Sequence, residues 1–224
     1  DFAWTRDGVS VPQATGATVP AFVTSKDETW EVFVTPNDGT SDGPIATAAV
    51  IIQNSLPAIS DCQIQPNQAT TDDTLSASAI GWTDTDGDPE QIAYEWFELD
   101  TSGAWVSLSN GPTLASSNTA RGSEIKVSCT PYNGAGLTAE AGATVDSSPL
   151  VIGNSPPSLT GCSISPLNPE TSDDLSVNLL GWDDSDGDTV DATYIWTVNG
   201  VVDTAQTQMT YPASSTASGD TISV

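Results

Sequence analysis

The stretch GWTDTDGDPEQIAYEW, residues 81–96, returns as GWDDSDGDTVDATYIW at residues 181–196. Its end decides the fold class. Ile92, Tyr94 and Trp96 put apolar side chains on every second position, the period of a half-buried strand. The same alternation extends outward on both sides, through Cys62 and Ile64, Leu75, Ala77 and Ala79, and Ile125, Val127 and Cys129. Turn residues separate these runs: Pro66-Asn67, Asp86-Gly87, Asn110-Gly111 and Asn133-Gly134. No apolar stripe at helical spacing is visible. About seven short strands in about 100 residues is the signature of a β-sandwich.

The repetition organises the whole chain. Asn54-Ser55 recurs as Asn154-Ser155, Cys62 as Cys162, and Asp84, Asp86 and Asp88 as Asp184, Asp186 and Asp188, each 100 residues on. Asp72-Asp73 has a near-counterpart in Asp173-Asp174, one residue off that spacing. A third, partial copy opens the chain. Phe2-Ala3-Trp4 matches Tyr94-Glu95-Trp96, and Val32, Val34, Pro36 and Gly39 match Val127, Cys129, Pro131 and Gly134. The expected domains are residues 1–55, the C-terminal half of one repeat; residues 56–155, a complete repeat; and residues 156–224, the N-terminal two-thirds of another. The partial copies overlap over shared strands, 2–32 against 194–224, so they are not two halves of one domain. A window from a longer array is expected, with the native N-terminus elsewhere.

Composition narrows the function. Lys and Arg total 4 against 30 Asp and Glu, a formal charge of -26. Such a surface repels nucleic acid and anionic membranes and attracts cations. Histidine is absent, which removes the commonest general base and the usual zinc ligand. The three cysteines form no C-x-x-C pair. No run of 18 apolar residues is present, so no membrane insertion is expected within this segment. Paired carboxylates could serve glycoside hydrolysis by residue type. Here, however, the acidic residues recur in loops every 100 positions, and the chain is expected not to be an enzyme.

The loop Asp84-Thr85-Asp86-Gly87-Asp88 carries the strongest functional signal, and two readings of it stand open. Asp and Asn favour tight turns for their own hydrogen-bonding reasons. Alternatively, clustered carboxylates without a basic partner nearby in the sequence repel one another and favour a bound hard cation. The loop is not an EF-hand, because Gly is fourth, Pro89 is sixth and strands flank it.

Taken together, the Asn-Ser-x-Pro linker, the Asp-x-Asp-Gly-Asp loop and the Tyr-x-Trp strand resemble the polycystic-kidney-disease-type (PKD) and cadherin-like repeats of microbial surface proteins. The resemblance implies all-β, tandem immunoglobulin-like β-sandwich repeats of about 100 residues, extracellular or at the cell surface. It implies Ca²⁺ near each domain junction. The implied metal ligands are Asn54, Ser55, Asp84, Asp86 and Asp88, then Asn154, Ser155, Asp184, Asp186 and Asp188. The chain departs from its own first copy at Asn133-Gly-Ala-Gly, where that copy has Asn37-Asp-Gly-Thr-Ser-Asp42, leaving any ligand from this loop open.

Cys62 and Cys129 have inward parity on the first and sixth strands, so a Cys62–Cys129 disulfide is expected, with Cys162 unpaired. Trp4, Trp96 and Trp196 read as core residues. The unmatched Trp30 and Trp105 better suit a sugar-stacking platform. The leading expectation is a structural stalk, spacer or fibre subunit with calcium-stiffened junctions. Its expected partners are neighbouring repeats of the same chain and, for a fibre subunit, further copies of itself. The alternative is an adhesin or a glycan-binding module appended to a secreted protein.

Overall fold

Alternating apolar positions fold into antiparallel sheets throughout this computed structural model, which describes residues 1–133, 140–189 and 191–224. The Gly134-Ala-Gly part of the departing loop therefore lies outside the described residues. Among those described, regular structure is almost entirely β, with three single-turn 3₁₀ segments and no α-helix. The chain divides into two compact units. The first comprises Asp1–Gln65, Ser76–Leu114 and Ile125–Pro149; the second comprises Pro66–Leu75, Ala115–Glu124 and Leu150–Val224.

The first unit opens with β1 (Phe2–Arg6), β2 (Val9–Ser10), β3 (Thr29–Val34) and β4 (Ala46–Ile51), joined in the order β2-β1-β3-β4. Register places Trp4 opposite Val32 and Arg6 opposite Trp30. Trp30 is 2% exposed and meets Trp4 edge-on, with ring centroids 6.4 Å apart. Its indole N–H donates to Glu28 Oε2 at 2.9 Å. The sugar-stacking expectation for Trp30 is corrected here: its face is spent on packing, where a large aromatic area stabilises most.

The rest of this unit holds two facing sheets. One is built from β5 (Asp61–Gln65), β6 (Leu75–Ile80) and β9 (Thr113–Leu114). The other contains β7 (Ile92–Leu99), β8 (Trp105–Asn110), β10 (Glu124–Pro131) and β11 (Val145–Asp146), in the order β11-β10-β7-β8. On β10, buried and half-buried residues alternate without a break over eight residues, so Ile125, Val127 and Cys129 all face inward. Cys62 on β5 and Cys129 on β10 are joined in a disulfide that staples one sheet to the other. Trp96 is fully buried between them.

The second unit contains β12 (Leu150–Val151), β13 (Gly161–Ser165), β14 (Leu175–Leu180), β15 (Trp196–Val198), β16 (Val201–Asp203), β17 (Thr210–Tyr211) and β18 (Ile222–Ser223). Its sheets run β13-β14-β17 and β16-β15-β18. Leu175, Val177, Trp196 and Tyr211 form its core. Cys162 is free and exposed.

Repetition in sequence becomes repetition of bonds. Trp96 and Trp196 are fully buried core residues as expected, whereas Trp4 is only half-buried, yet all three indole N–H groups find a backbone acceptor. Trp4 donates to Gly16 O, Trp96 to Gly111 O and Trp196 to Gln208 O, each at 2.9 Å. Gly81 and Gly181 are both left-handed, at φ +70° and +60°, and a Cβ there would sit 2.2 and 2.1 Å from the hydroxyls of Ser60 and Thr160. One correspondence shifts. Asp73 Oδ2 accepts from Thr70 N and Asp173 Oδ2 from Glu170 N, both at 2.8 Å. Asp73 and Asp173 are therefore the equivalent pair, and the 100-residue spacing holds here too.

Tyr211 yields a pH prediction. It is 1% exposed, and its hydroxyl donates to Asp203 Oδ2 at 2.8 Å. Burial, then the bond and charge of Asp203, push its pKa up to about 12. A raised folded-state value means that this stability is fully present below the ordinary tyrosine value near 10 and is lost as pH rises toward about 12. Urea midpoints of the wild type should fall across that window. Tyr211→Phe, which cannot ionise, should show a shallower fall; parallel curves would exclude this phenol as the cause.

Candidate metal centres at the linker and acidic loop

Each acidic loop is fastened to its linker by backbone pairing. Thr83, immediately before Asp84, exchanges both hydrogen bonds with Ala58, at 2.9 and 2.8 Å. Asp183 and Ser158 repeat this at 2.8 and 3.1 Å. Asp84 then closes the loop on itself, its Oδ1 accepting from Asp86 N at 2.9 Å and Asp88 N at 3.0 Å. Asp184 Oδ1 does the same for Asp186 N and Asp188 N, at 3.0 and 3.1 Å. Asp86 Oδ2 accepts from Ser55 N at 2.6 Å, and Asp186 Oδ2 from Ser155 N at 2.7 Å. The turn reading therefore accounts for one oxygen of the first aspartate and one of the second in each loop.

It leaves the others. Among the described residues, five buried side-chain N/O atoms have no partner, and every one is an acceptor oxygen: Asn54 Oδ1, Asp84 Oδ2, Asp88 Oδ2, Asn133 Oδ1 and Asp186 Oδ1. Buried acceptors are ordinarily hydrogen-bonded, and a buried carboxylate oxygen without a donor is costly. Three of the five belong to the earlier linker and acidic loop, and a fourth, on Asn133, belongs to a residue bonded to that linker. Asn133 is only 7% exposed, and its amide donates to Ser55 O at 3.0 Å. That bond ties Asn133 to the linker which Asp86 holds from the other side. Asn54 donates to Ser55 O and to Glu140 Oε2, at 3.1 and 3.0 Å.

The later loop is drawn in differently. Asp184, Asp186 and Asp188 each bring one carboxylate oxygen within 4.8 Å of the others, the only such acidic triad among the described residues. The hydroxyl of fully buried Ser155 accepts from Thr71 Oγ1 at 2.8 Å and from Asp72 N at 3.1 Å. Its side chain is thereby committed to structure. Asp72 also accepts a hydrogen bond from Ser185.

Two basic residues also reach these loops. Lys26 pairs with Asp88, and Arg121 pairs with Asp188. The bond to Asp88, followed by the nearby acidic charges, raises the Lys26 pKa against the opposing effect of burial. The sequence made the loops look devoid of basic partners because these residues are 62 and 67 positions away. Asn133 is hard to recognise from sequence for a similar reason: its loop departs from the first copy. Its repeat partner by alignment with Gly39 and Gly134 is Asp38, and an acceptor oxygen is what the two side chains share.

Trp105 is half-buried beside Lys126, whose ammonium lies 5.0 Å from its ring and 5.3 Å from that of Phe97. Lys126 also bonds Asp146 at 2.6 Å and, with Ser128, holds that carboxyl below its usual range. The Trp105 face is thus engaged by a cation of its own chain.

Sheets, staple and loops define the class: an all-β, disulfide-bonded, strongly acidic protein with internally repeated sequence. No family model matches the chain, and no curated protein matches it.

Proposed function

We propose that this chain is a structural segment of an extracellular repeat array, a stalk, spacer or fibre subunit of PKD-type or cadherin-like character, whose junctions are stiffened by Ca²⁺. The observation that carries this reading is the gathering of partnerless buried oxygens at the linkers and acidic loops. Hard divalent cations take several oxygen ligands, carboxylate and amide carbonyl alike. Asn54, Asp84, Asp88 and Asn133 would hold the earlier ion, with Asp86 fixing Ser55 beside it. Asp184, Asp186 and Asp188 would hold the later one. The ion supplies positive charge where like charges otherwise repel, and it couples the linker to the loop that follows. The disulfide fits an oxidising compartment. The function is mechanical, with no catalytic role for these carboxylates.

Calorimetric titration of CaCl₂ into the chelated protein should show binding that Asp84→Ala removes in part. At calcium about a hundredfold above Kd, one site adds about 2.7 kcal/mol of stability. EGTA should therefore lower the melting temperature of the wild type more than that of Asp84→Ala. Equal melting with and without calcium would reduce the loops to hydrogen-bonded turns.

A further inference from the structure

We infer that the basic residue at positions 26 and 121 sets how tightly each acidic loop takes its cation, with Arg121 an internal competitor at the later site. This inference rests on the calcium reading above. The chain has four basic residues, and two of them occupy equivalent places. Lys26 precedes Asp27, which is left-handed at φ +69°; Arg121 precedes Gly122, left-handed at φ +85°. Each turn is held by the strand end that leads into the linker. Asp27 N donates to Ile52 O and Ile52 N to Glu28 O, both at 2.9 Å. Gly122 N donates to Ile152 O at 2.8 Å and Ile152 N to Ser123 O at 2.9 Å. The same turn thus aims a cationic side chain at the last aspartate of the loop in both places.

The two cations do different things there. Lys26 bonds Asp88 Oδ1 and leaves Asp88 Oδ2 and Asn54 Oδ1 buried without partners. Arg121 bridges two groups, Asp188 Oδ2 and Asn154 Oδ1, the latter at 2.6 Å. Both bonds come from one guanidinium nitrogen, Nη1, which takes up the amide oxygen whose counterpart stays free at the earlier site. A divalent ion entering the later triad must displace Arg121 or bind against its charge. Asn133, nine-tenths buried with its Oδ1 free, adds an oxygen ligand at the earlier site. The earlier site should accordingly be the tighter one, although the later carboxylates are the closer set.

The test is calcium titration by calorimetry on the full chain, with Asp84→Ala and Asp184→Ala assigning the phases. The wild type should bind in two phases, with the tighter lost in Asp84→Ala. Arg121→Gln should tighten the weaker phase about tenfold and leave the other unchanged. Arg121→Lys should fall between, and circular dichroism should show all variants folded. A weaker phase that is unaltered or loosened in Arg121→Gln would overturn the inference while leaving the calcium reading intact. Absence of calcium binding by the wild type and by every variant would overturn both.

Discussion

Removing the Cys62–Cys129 bond is expected to destabilise the first unit by about 4 kcal/mol, the chain-entropy value for a loop of this length. The bond closes 67 residues and joins opposite sheets, so the loop it forbids in the unfolded chain is long. Both cysteines are at most 2% exposed. Cys62→Ala/Cys129→Ala keeps the packing close to native, so most of its effect should come from the unfolded ensemble. Urea unfolding followed by tryptophan fluorescence should show a large fall in midpoint for the double variant. Cys162→Ser, at an exposed thiol, should match the wild type. A double variant within about 1 kcal/mol of the wild type would mean that the sheets hold without their staple.

Trp196→Ala is expected to cost the second unit about 3–5 kcal/mol, the range for emptying a buried aromatic site. Trp196 is fully buried and packs on Tyr211, with ring centroids 5.1 Å apart. Its indole also satisfies Gln208 O at 2.9 Å. Trp196→Phe separates the two contributions. It keeps an aromatic ring but loses the donor to Gln208 O, the carbonyl of an exposed residue, and should cost roughly 1–3 kcal/mol, a lost hydrogen bond plus a smaller void. Hydrogen exchange of β14 and β15 would report the loss. If Trp196→Ala left that exchange unchanged, Trp196 would not be the centre of this core.

The candidate site was only half legible in sequence. The aspartate loops and the Asn-Ser linkers stood out because they recur at fixed spacing, and the structure brings Asp86 to Ser55 and Asp186 to Ser155. Ser155 proved to be a buried structural hydroxyl rather than a free side-chain ligand. The two basic residues were hidden because a lone Lys or Arg in a turn looks like any solvated charge. Trp105 kept a half-exposed position, but its ring is shared with Lys126.

By itself, the sequence determined what local periodicity can encode. Alternation set the strands and their inward faces, including the parity that makes Cys62 and Cys129 partners, and Asp-Gly and Asn-Gly set the turns. These depend on residues within a few positions of one another. Tertiary structure alone decided which distant groups share a junction. Lys26 meets Asp88 across 62 residues, Asn133 meets Ser55 across 78, and Trp30 turns inward against Trp4. Long side chains choose partners only after the sheets have closed, because burial then makes every unpaired acceptor costly and leaves few donors within reach.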